Sequence, residues 1–207
     1  MWEPLRRVTD VSRPRIVGPI TASHGINEFF AIVIPPIIPL LVTDLGVTYG
    51  QAGFLLTIFF AMYSLFQLPA GLVADRIGKN RLMLGGLAGM TGGIGLAGFA
   101  PSYELLMVAQ AIAGISGSTF HPAGLSIISD VETPETEGKA MGVFGFGGTI
   151  GTMAAPLLVG GLAAVAGWRI AFLGAAVLGG VTTLVVAYAL LTFDADATPS
   201  ARADGAR

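Results

Sequence analysis

The chain of 207 residues has no cysteine, only two histidines and few charges, with Asp, Glu, Lys and Arg making up 12%. The absent cysteine excludes a disulfide framework, thiol catalysis and thiolate-ligated metals. The shortage of charge excludes an ordinary soluble domain, which carries about 25% charged residues. A formal net charge of −2 leaves no electrostatic footprint for nucleic acid. What is plentiful is apolar: 53% of residues are hydrophobic and the mean hydropathy is +0.75. The natural solvent for most of such a chain is lipid. Its 30 glycines suit close helix packing there.

Six apolar runs are each long enough to cross a bilayer, which takes about 20 residues. They cover Ile16–Val42, Gln51–Ala74, Leu82–Ala100, Tyr103–Ser129, Ala140–Val165 and Trp168–Leu191, and are called spans 1 to 6 below. The first exceeds the about 7–15 apolar residues of a cleaved signal peptide and reads as a retained helix. A polar tail, residues 1–15, precedes the six-helix region at 16–192. A small polar tail, residues 193–207, follows it and reads as disordered. With both termini inside, every Lys and Arg except Arg169 falls on the inner side of the membrane, as the positive-inside rule requires. The sequence thus predicts a multi-pass protein of the inner or plasma membrane with both tails cytoplasmic.

A faint internal repeat is also present. Gly71–Gly86 reads GLVADRIGKNRLMLGG and Gly161–Ala176 reads GLAAVAGWRIAFLGAA. Both run Gly-Leu-small-Ala, then Gly, then Arg leading into the next helix. If spans 1–3 and 4–6 are two copies of one unit, the copies insert in opposite directions, an inverted repeat of the kind secondary transporters use.

The loop Gly71-Leu-Val-Ala-Asp75-Arg76-Ile-Gly78-Lys79, with Arg81 just beyond, resembles the G-x-x-x-D-R-x-G-R-R signature between the second and third helices of the major facilitator superfamily. Gly167-Trp-Arg-Ile-Ala-Phe172 resembles the GWRxxF that opens that family's sixth helix. Gly142, Gly151, Ala155-Pro156 and Gly160-Gly161 resemble a degraded form of the fifth-helix pattern of proton-exchanging exporters, with Ala155 and Val159 in place of Gly. Gln110 stands where many members carry an intramembrane Arg. Ser23-His24-Gly-Ile-Asn27-Glu28 and Phe120-His121-Pro122 resemble motifs of the fosmidomycin-resistance subgroup of exporters. The resemblance implies an all-α membrane fold, one six-helix half of a twelve-helix transporter built as a 3+3 inverted repeat. It implies proton-coupled export of a small organic or drug-like molecule, with proton-linked uptake as the alternative. It also implies that Asp75 braces the inner helix ends and helps close that side, in a gating loop of Gly71, Asp75, Arg76, Gly78, Lys79 and Arg81. No cofactor and no metal is expected; the energy source would be the proton gradient.

Ionisable groups inside spans are costly, about +2.5–3.5 kcal/mol at a helix centre on insertion scales, and mark functional sites. Here they are His24, Glu28 and His121. His24 and Glu28 are four apart and share a helix face, with Asn27 beside them. At 1.5 Å per residue they lie about 12–18 Å from the inner end of span 1, and His121 lies about 12 Å from the inner end of span 4. All three can therefore sit at one depth. The resemblance, in which the first and fourth helices line a central cavity, implies that they share one water-filled space, where a carboxylate beside histidines suits a proton site. Pro122 removes a backbone hydrogen bond one residue after His121, which predicts a broken, polar spot in a cavity-lining helix. Tyr63, Ser64 and Gln67 on span 2 are weaker lining candidates.

Gly114-Ile-Ser116-Gly117 offers a rival reading, because intramembrane serine proteases resemble this GxSG in a fourth span. A serine nucleophile needs a histidine base within about 2.6–3.2 Å, and span 6 supplies none. Six spans are half of an ordinary family member, so a second six-helix half or a second copy of the chain is the expected partner, alongside the bilayer and a small-molecule substrate. An inactive half-transporter is the remaining alternative.

Overall fold

The computed structural model describes residues 11–192, and every regular element among them is helical. Arg6 and Arg7 of the first tail, and the whole second tail with Arg202 and Arg207, lie outside the described residues.

Span 1 is not the single helix expected over Ile16–Val42. It divides into α1 (Pro14–Ala31), a short 3-10 turn (Pro35–Ile37) and α2 (Ile38–Leu45). The cause is local. Pro35 and Pro36, in tandem, donate no backbone N–H to continue the α1 ladder, and Pro39 falls in the first turn of α2, where no such donor is needed. Span 2 is α3 (Tyr49–Ile77), opened by a capping box in which Thr48 and Gln51 satisfy each other's backbone N–H. Span 3 is α4 (Lys79–Gly98). Span 5 is α7 (Pro134–Ala166) and span 6 is α8 (Trp168–Thr192).

Span 4 breaks into α5 (Tyr103–Gly117) and α6 (Phe120–Val131). The expected interruption is there, but it sits at Ser118–Thr119, ahead of Pro122 rather than at it. Pro122 is the third residue of α6, where a helix lacks a partner for its N–H in any case. The carbonyls around the break are taken by hydroxyls: Ser118 Oγ donates to Ile115 O at 2.6 Å and Thr119 Oγ1 to Ser116 O at 2.9 Å.

The inverted repeat is real at the level of packing. Span 1 crosses span 5 as span 4 crosses span 2. Span 1 packs on span 6 as span 4 packs on span 3, and spans 3 and 6 meet each other. Glycines make the crossings possible. A Cβ on Gly25 would lie 3.0 Å from Gly147 O, and one on Gly151 would lie 1.9 Å from Gly25 O. In the other copy a Cβ on Gly114 would lie 2.4 Å from Phe59 O. Small residues bring backbones this close in lipid, where dispersion rather than water expulsion drives association.

The helix junctions repeat as well. Gly78 joins α3 to α4 at φ 88 and ψ 140, and Gly167 joins α7 to α8 at φ 85 and ψ 159. Each donates its N–H 2.9 Å to the carbonyl four residues back. A cation just after each glycine then reaches the acid ending the first span of the opposite copy. Lys79 pairs with Asp130, and Arg169 pairs with Asp44 at 2.5 Å.

Four segments are long and apolar enough to cross a membrane by themselves: Pro14–Leu45, Tyr49–Ile77, Pro134–Ala166 and Trp168–Thr192. Spans 3 and 4 fall short for visible reasons. The first is rich in glycine and starts Lys-Asn-Arg, and the second is cut in two. A continuous core runs through the bundle, with Phe30, Phe59, Phe120 and Phe172 almost wholly buried. Large apolar side chains such as Leu68, Leu72, Leu157 and Leu191 remain outside. That suits a lipid-facing surface.

Candidate functional site

The three ionisable groups expected to meet do so. Glu28 Oε1 lies 3.5 Å from His24 Nε2 and 3.6 Å from His121 Nε2. Spacing of four residues stacks His24 over Glu28 on one face of α1, and the break in span 4 delivers His121 on the first turn of α6. His24 is buried, while the Glu28 and His121 side chains keep 29% and 34% of their surface. The cluster is thus open on one side only.

His24 is the most constrained member. Its Nδ1 lies 2.8 Å from the Phe144 carbonyl oxygen of α7. A carbonyl only accepts, so Nδ1 carries the hydrogen and Nε2 faces Glu28. The imidazole lies parallel to the Phe144 ring at 3.9 Å and to the Phe120 ring at 5.7 Å. Room for it comes from Gly148, where a Cβ would lie 2.5 Å from His24 Cε1.

A second layer joins span 2. Tyr63 donates its hydroxyl hydrogen to Asn27 Oδ1 at 3.0 Å. The Asn27 amide donates to Gly117 O at 3.5 Å, beside the break in span 4, and reaches Met90 Sδ at 3.4 Å. The Tyr63 ring meets His121 edge-on at 6.0 Å. Spans 1, 2, 4 and 5 therefore all contribute to one polar patch. Gln67 lies one turn beyond Tyr63, half-buried, and takes no part in these contacts; Ser64 is exposed. Pro122 shapes the start of α6 and adds no polar group.

The expected Gly71–Arg81 loop is almost entirely helical: Gly71–Ile77 close α3, Lys79–Arg81 open α4, and Gly78 alone turns the chain between them, at one end of the bundle and away from this patch. Gly78 needs its glycine, since φ 88 is a left-handed conformation that other residues rarely adopt. Lys79 pairs with Asp130. Asp75, Arg76 and Arg81 are exposed, and Asp75 has no hydrogen-bond or ion-pair partner among the described residues. Gly71 has open space where a Cβ would go.

Sequence reasoning passed over Phe144, Gly148, Asp44 and Asp130. Phe144 acts through its backbone carbonyl, which any residue type would offer. Gly148 was visible as one of a run of glycines in span 5, but nothing marked it as the neighbour of a histidine. A further omission is Glu132, buried between α6 and α7. Its carboxylate accepts the Ser12 and Arg13 backbone N–H groups at 2.8 and 2.9 Å, tying the start of α1 to the turn before α7.

The profile of the Major Facilitator Superfamily matches residues 20–207. The chain belongs to this superfamily. Among its relatives is the Escherichia coli K12 protein named "Probable L-galactonate transporter", 31% identical over 66% of this chain and 30% of that protein. Another is the Escherichia coli K12 "Fosmidomycin resistance protein", 29% identical over 69% of this chain and 35% of that one. A solved bacterial homologue of the human lysosomal transporter Spinster, in an inward-facing and unoccupied conformation, superposes with a TM-score of 0.76. It is 21% identical and covers 86% of this chain and 43% of the other, a likeness that shows the fold alone. The six helices are thus half of a major facilitator fold, and the chain spans well under two-thirds of the proteins it matches.

Members of this superfamily are transporters, not enzymes, and the protease reading falls with that membership. Ser116 has a packing role instead: it fills the space left by Gly89, where a Cβ would lie 2.5 Å from Ser116 Oγ. No hydrogen bond joins it to a histidine among the described residues.

Proposed function

We propose that the chain is the N-terminal half of a proton-coupled exporter of small organic molecules, with Glu28 as the proton-carrying group. The observation that carries this reading is the contact of Glu28 with both histidines at 3.5 and 3.6 Å, on the partly open side of an otherwise buried patch. A carboxylate in reach of two imidazoles can pass a proton to or from either one. Substrate entering the patch from its open side competes for the same contacts, which is what coupling requires. Asn27 and Tyr63 supply polar groups at the same depth. A second six-helix half, or a second copy of this chain, closes the other side of the cavity, and alternating access rocks the two about the midplane.

The termini lie in the cytoplasm in this reading, because that places the Arg76, Lys79 and Arg81 loop inside. Exposed Asp75 then stands where it can bond the facing half and hold the cytoplasmic side shut. Export is favoured by the relatives named for multidrug and fosmidomycin resistance. Uptake is the second reading, favoured by the relative named for L-galactonate.

Vesicles with an imposed pH gradient and a trapped pH-sensitive dye test both. Fosmidomycin is the first probe, followed by a panel of small organic acids and dyes. Solute-dependent collapse of an inside-acid gradient is expected from an antiporter, and its loss in Glu28→Gln assigns the proton to Glu28. Solute-driven acidification on the side the solute enters would replace export by uptake. Unchanged coupling in Glu28→Gln would remove Glu28 from the role.

A further inference from the structure

We propose that His24, Glu28 and His121 form a binding site for one divalent cation of the zinc class. One ligand atom from each of the three lies within 4.8 Å of the others, and Glu28 Oε1 faces Nε2 of both histidines. Tetrahedral zinc ligands at about 2.0–2.2 Å from the metal stand about 3.3–3.6 Å from each other. The two histidine–glutamate separations, 3.5 and 3.6 Å, already match. The remaining pair, the two imidazoles, also lies within 4.8 Å, and His121, on the first turn of a helix beside a break, has room to adjust to a metal.

Two further features suit a metal better than a simple ion pair. The first is the hydrogen bond from His24 Nδ1 to the Phe144 carbonyl at 2.8 Å. Ligating histidines almost always donate their other ring N–H to a carbonyl or carboxylate, which fixes the tautomer and aims the lone pair at the metal. Here that bond leaves the Nε2 lone pair of neutral His24 facing Glu28. The second is access. Glu28 and His121 are each about one-third exposed, so the site has an entry path and room for water at a fourth position. Two imidazoles and one carboxylate favour zinc, cobalt or nickel over magnesium or calcium, which prefer all-oxygen shells. The sequence carried no expectation of a metal, because the three ligands come from two spans and no spacing motif announces them.

Metal and proton use the same lone pairs, so they compete. Binding needs only these three side chains, and it holds whether or not the chain transports anything. Zinc titration therefore fails or succeeds separately from the vesicle assay.

The test uses the full chain in lipid nanodiscs, purified without a polyhistidine tag. His24 and His121 are the only histidines in the sequence, so a two-histidine signature has no other source. Calorimetric titration with Zn²⁺ at neutral pH is expected to show one equivalent per chain, with affinity falling as the pH is lowered. Co²⁺ is expected to give the visible absorption of a tetrahedral site. His121→Gln and Glu28→Gln should each weaken Zn²⁺ binding at least about 10–100-fold, the loss that even outer-shell changes cause. Both groups are partly exposed, so both variants should keep wild-type helicity by circular dichroism. Less than one equivalent in the folded wild-type chain, or wild-type affinity in either folded variant, overturns the proposal.

Discussion

His24 is held to span 5 by its Nδ1, which donates to Phe144 O at 2.8 Å, with its ring parallel to the Phe144 ring at 3.9 Å. That places the histidine in a slot rather than on a surface, and Gly148 is the slot's floor. A methyl group there would start 2.5 Å from the His24 ring. Gly148→Ala is therefore expected to destabilise the bundle by about 1–3 kcal/mol, the usual cost of overpacking. Gly145→Ala on the same helix is the control, since nothing lies within 4 Å of its Cβ. Thermal unfolding of both variants checks this, and equal melting temperatures would show that the slot has slack.

The Tyr63 hydroxyl makes one hydrogen bond, to Asn27 Oδ1 at 3.0 Å. Tyr63→Phe keeps the ring and its edge contact with His121 but leaves that oxygen without its donor. The expected loss is about 0.5–1.5 kcal/mol. Intramembrane hydrogen bonds average about 0.6 kcal/mol in double-mutant cycles, so the lower end is the better expectation. Coupling to Asn27 is measurable by the cycle Tyr63→Phe with Asn27→Ala. Strict additivity would mean that the bond contributes nothing.

Glu132 gives the bundle a pH dependence at one end, outside the spans. Burial by itself raises its carboxyl pKa, but hydrogen bonds from Thr136 and from the Ser12 and Arg13 backbone outweigh that and hold it below its ordinary value of 4.5. A lowered folded-state pKa adds stability that is complete above the unfolded value and is lost as pH falls through the folded one. The chain should thus lose stability progressively below about pH 4.5. Glu132→Gln should be less stable at neutral pH and should show a shallower slope in acid. Chemical unfolding in detergent across that range decides it; parallel curves for the two proteins would exclude Glu132 as the source.

Most of the helical plan was legible because lipid imposes it. Without water to satisfy the backbone, apolar runs of about 20 residues have to be helices. The Gly71–Lys79 stretch was legible through its resemblance to the family signature and the repeat through two matching stretches. Spacing and direction put His24, Glu28 and His121 at one depth, and the resemblance implied the shared cavity. What was hidden depends on three-dimensional approach. Pro35 and Pro36 were in plain view, yet unbroken hydropathy over Ile16–Val42 masked the turn they impose. The break in span 4 was expected at Pro122 and lies at Ser118–Thr119, where the hydroxyls can cover freed carbonyls. The Phe144 carbonyl could not be foreseen, since backbone groups leave no trace in residue type. Asp44 and Asp130 carry no motif, and only the fold shows each facing the cation of the other copy.

Arg169 anchors the end of the bundle opposite the Gly78 loop, and its planar head makes three contacts at once. It pairs with Asp44 at 2.5 Å, donates to Ala100 O at 3.2 Å and lies over the Trp168 ring at 4.1 Å. Trp168 Nε1 donates to the same Asp44 carboxylate at 2.9 Å. Spans 1, 3 and 6 are thereby joined through one guanidinium. Lysine preserves the charge but has neither the fork nor the flat face. Since the ion pair itself is well exposed, it contributes only about 0.2–1 kcal/mol. The Ala100 bond and the stacking are the larger share. Arg169→Lys should therefore cost about 1 kcal/mol, whereas Asp44→Asn should cost less, because an amide oxygen still accepts from Trp168. High salt should narrow the gap between wild type and Asp44→Asn but leave Arg169→Lys nearly as destabilised. Thermal unfolding of the three proteins at low and high salt measures this, and a wild-type melting temperature for Arg169→Lys would reduce the contact to charge alone.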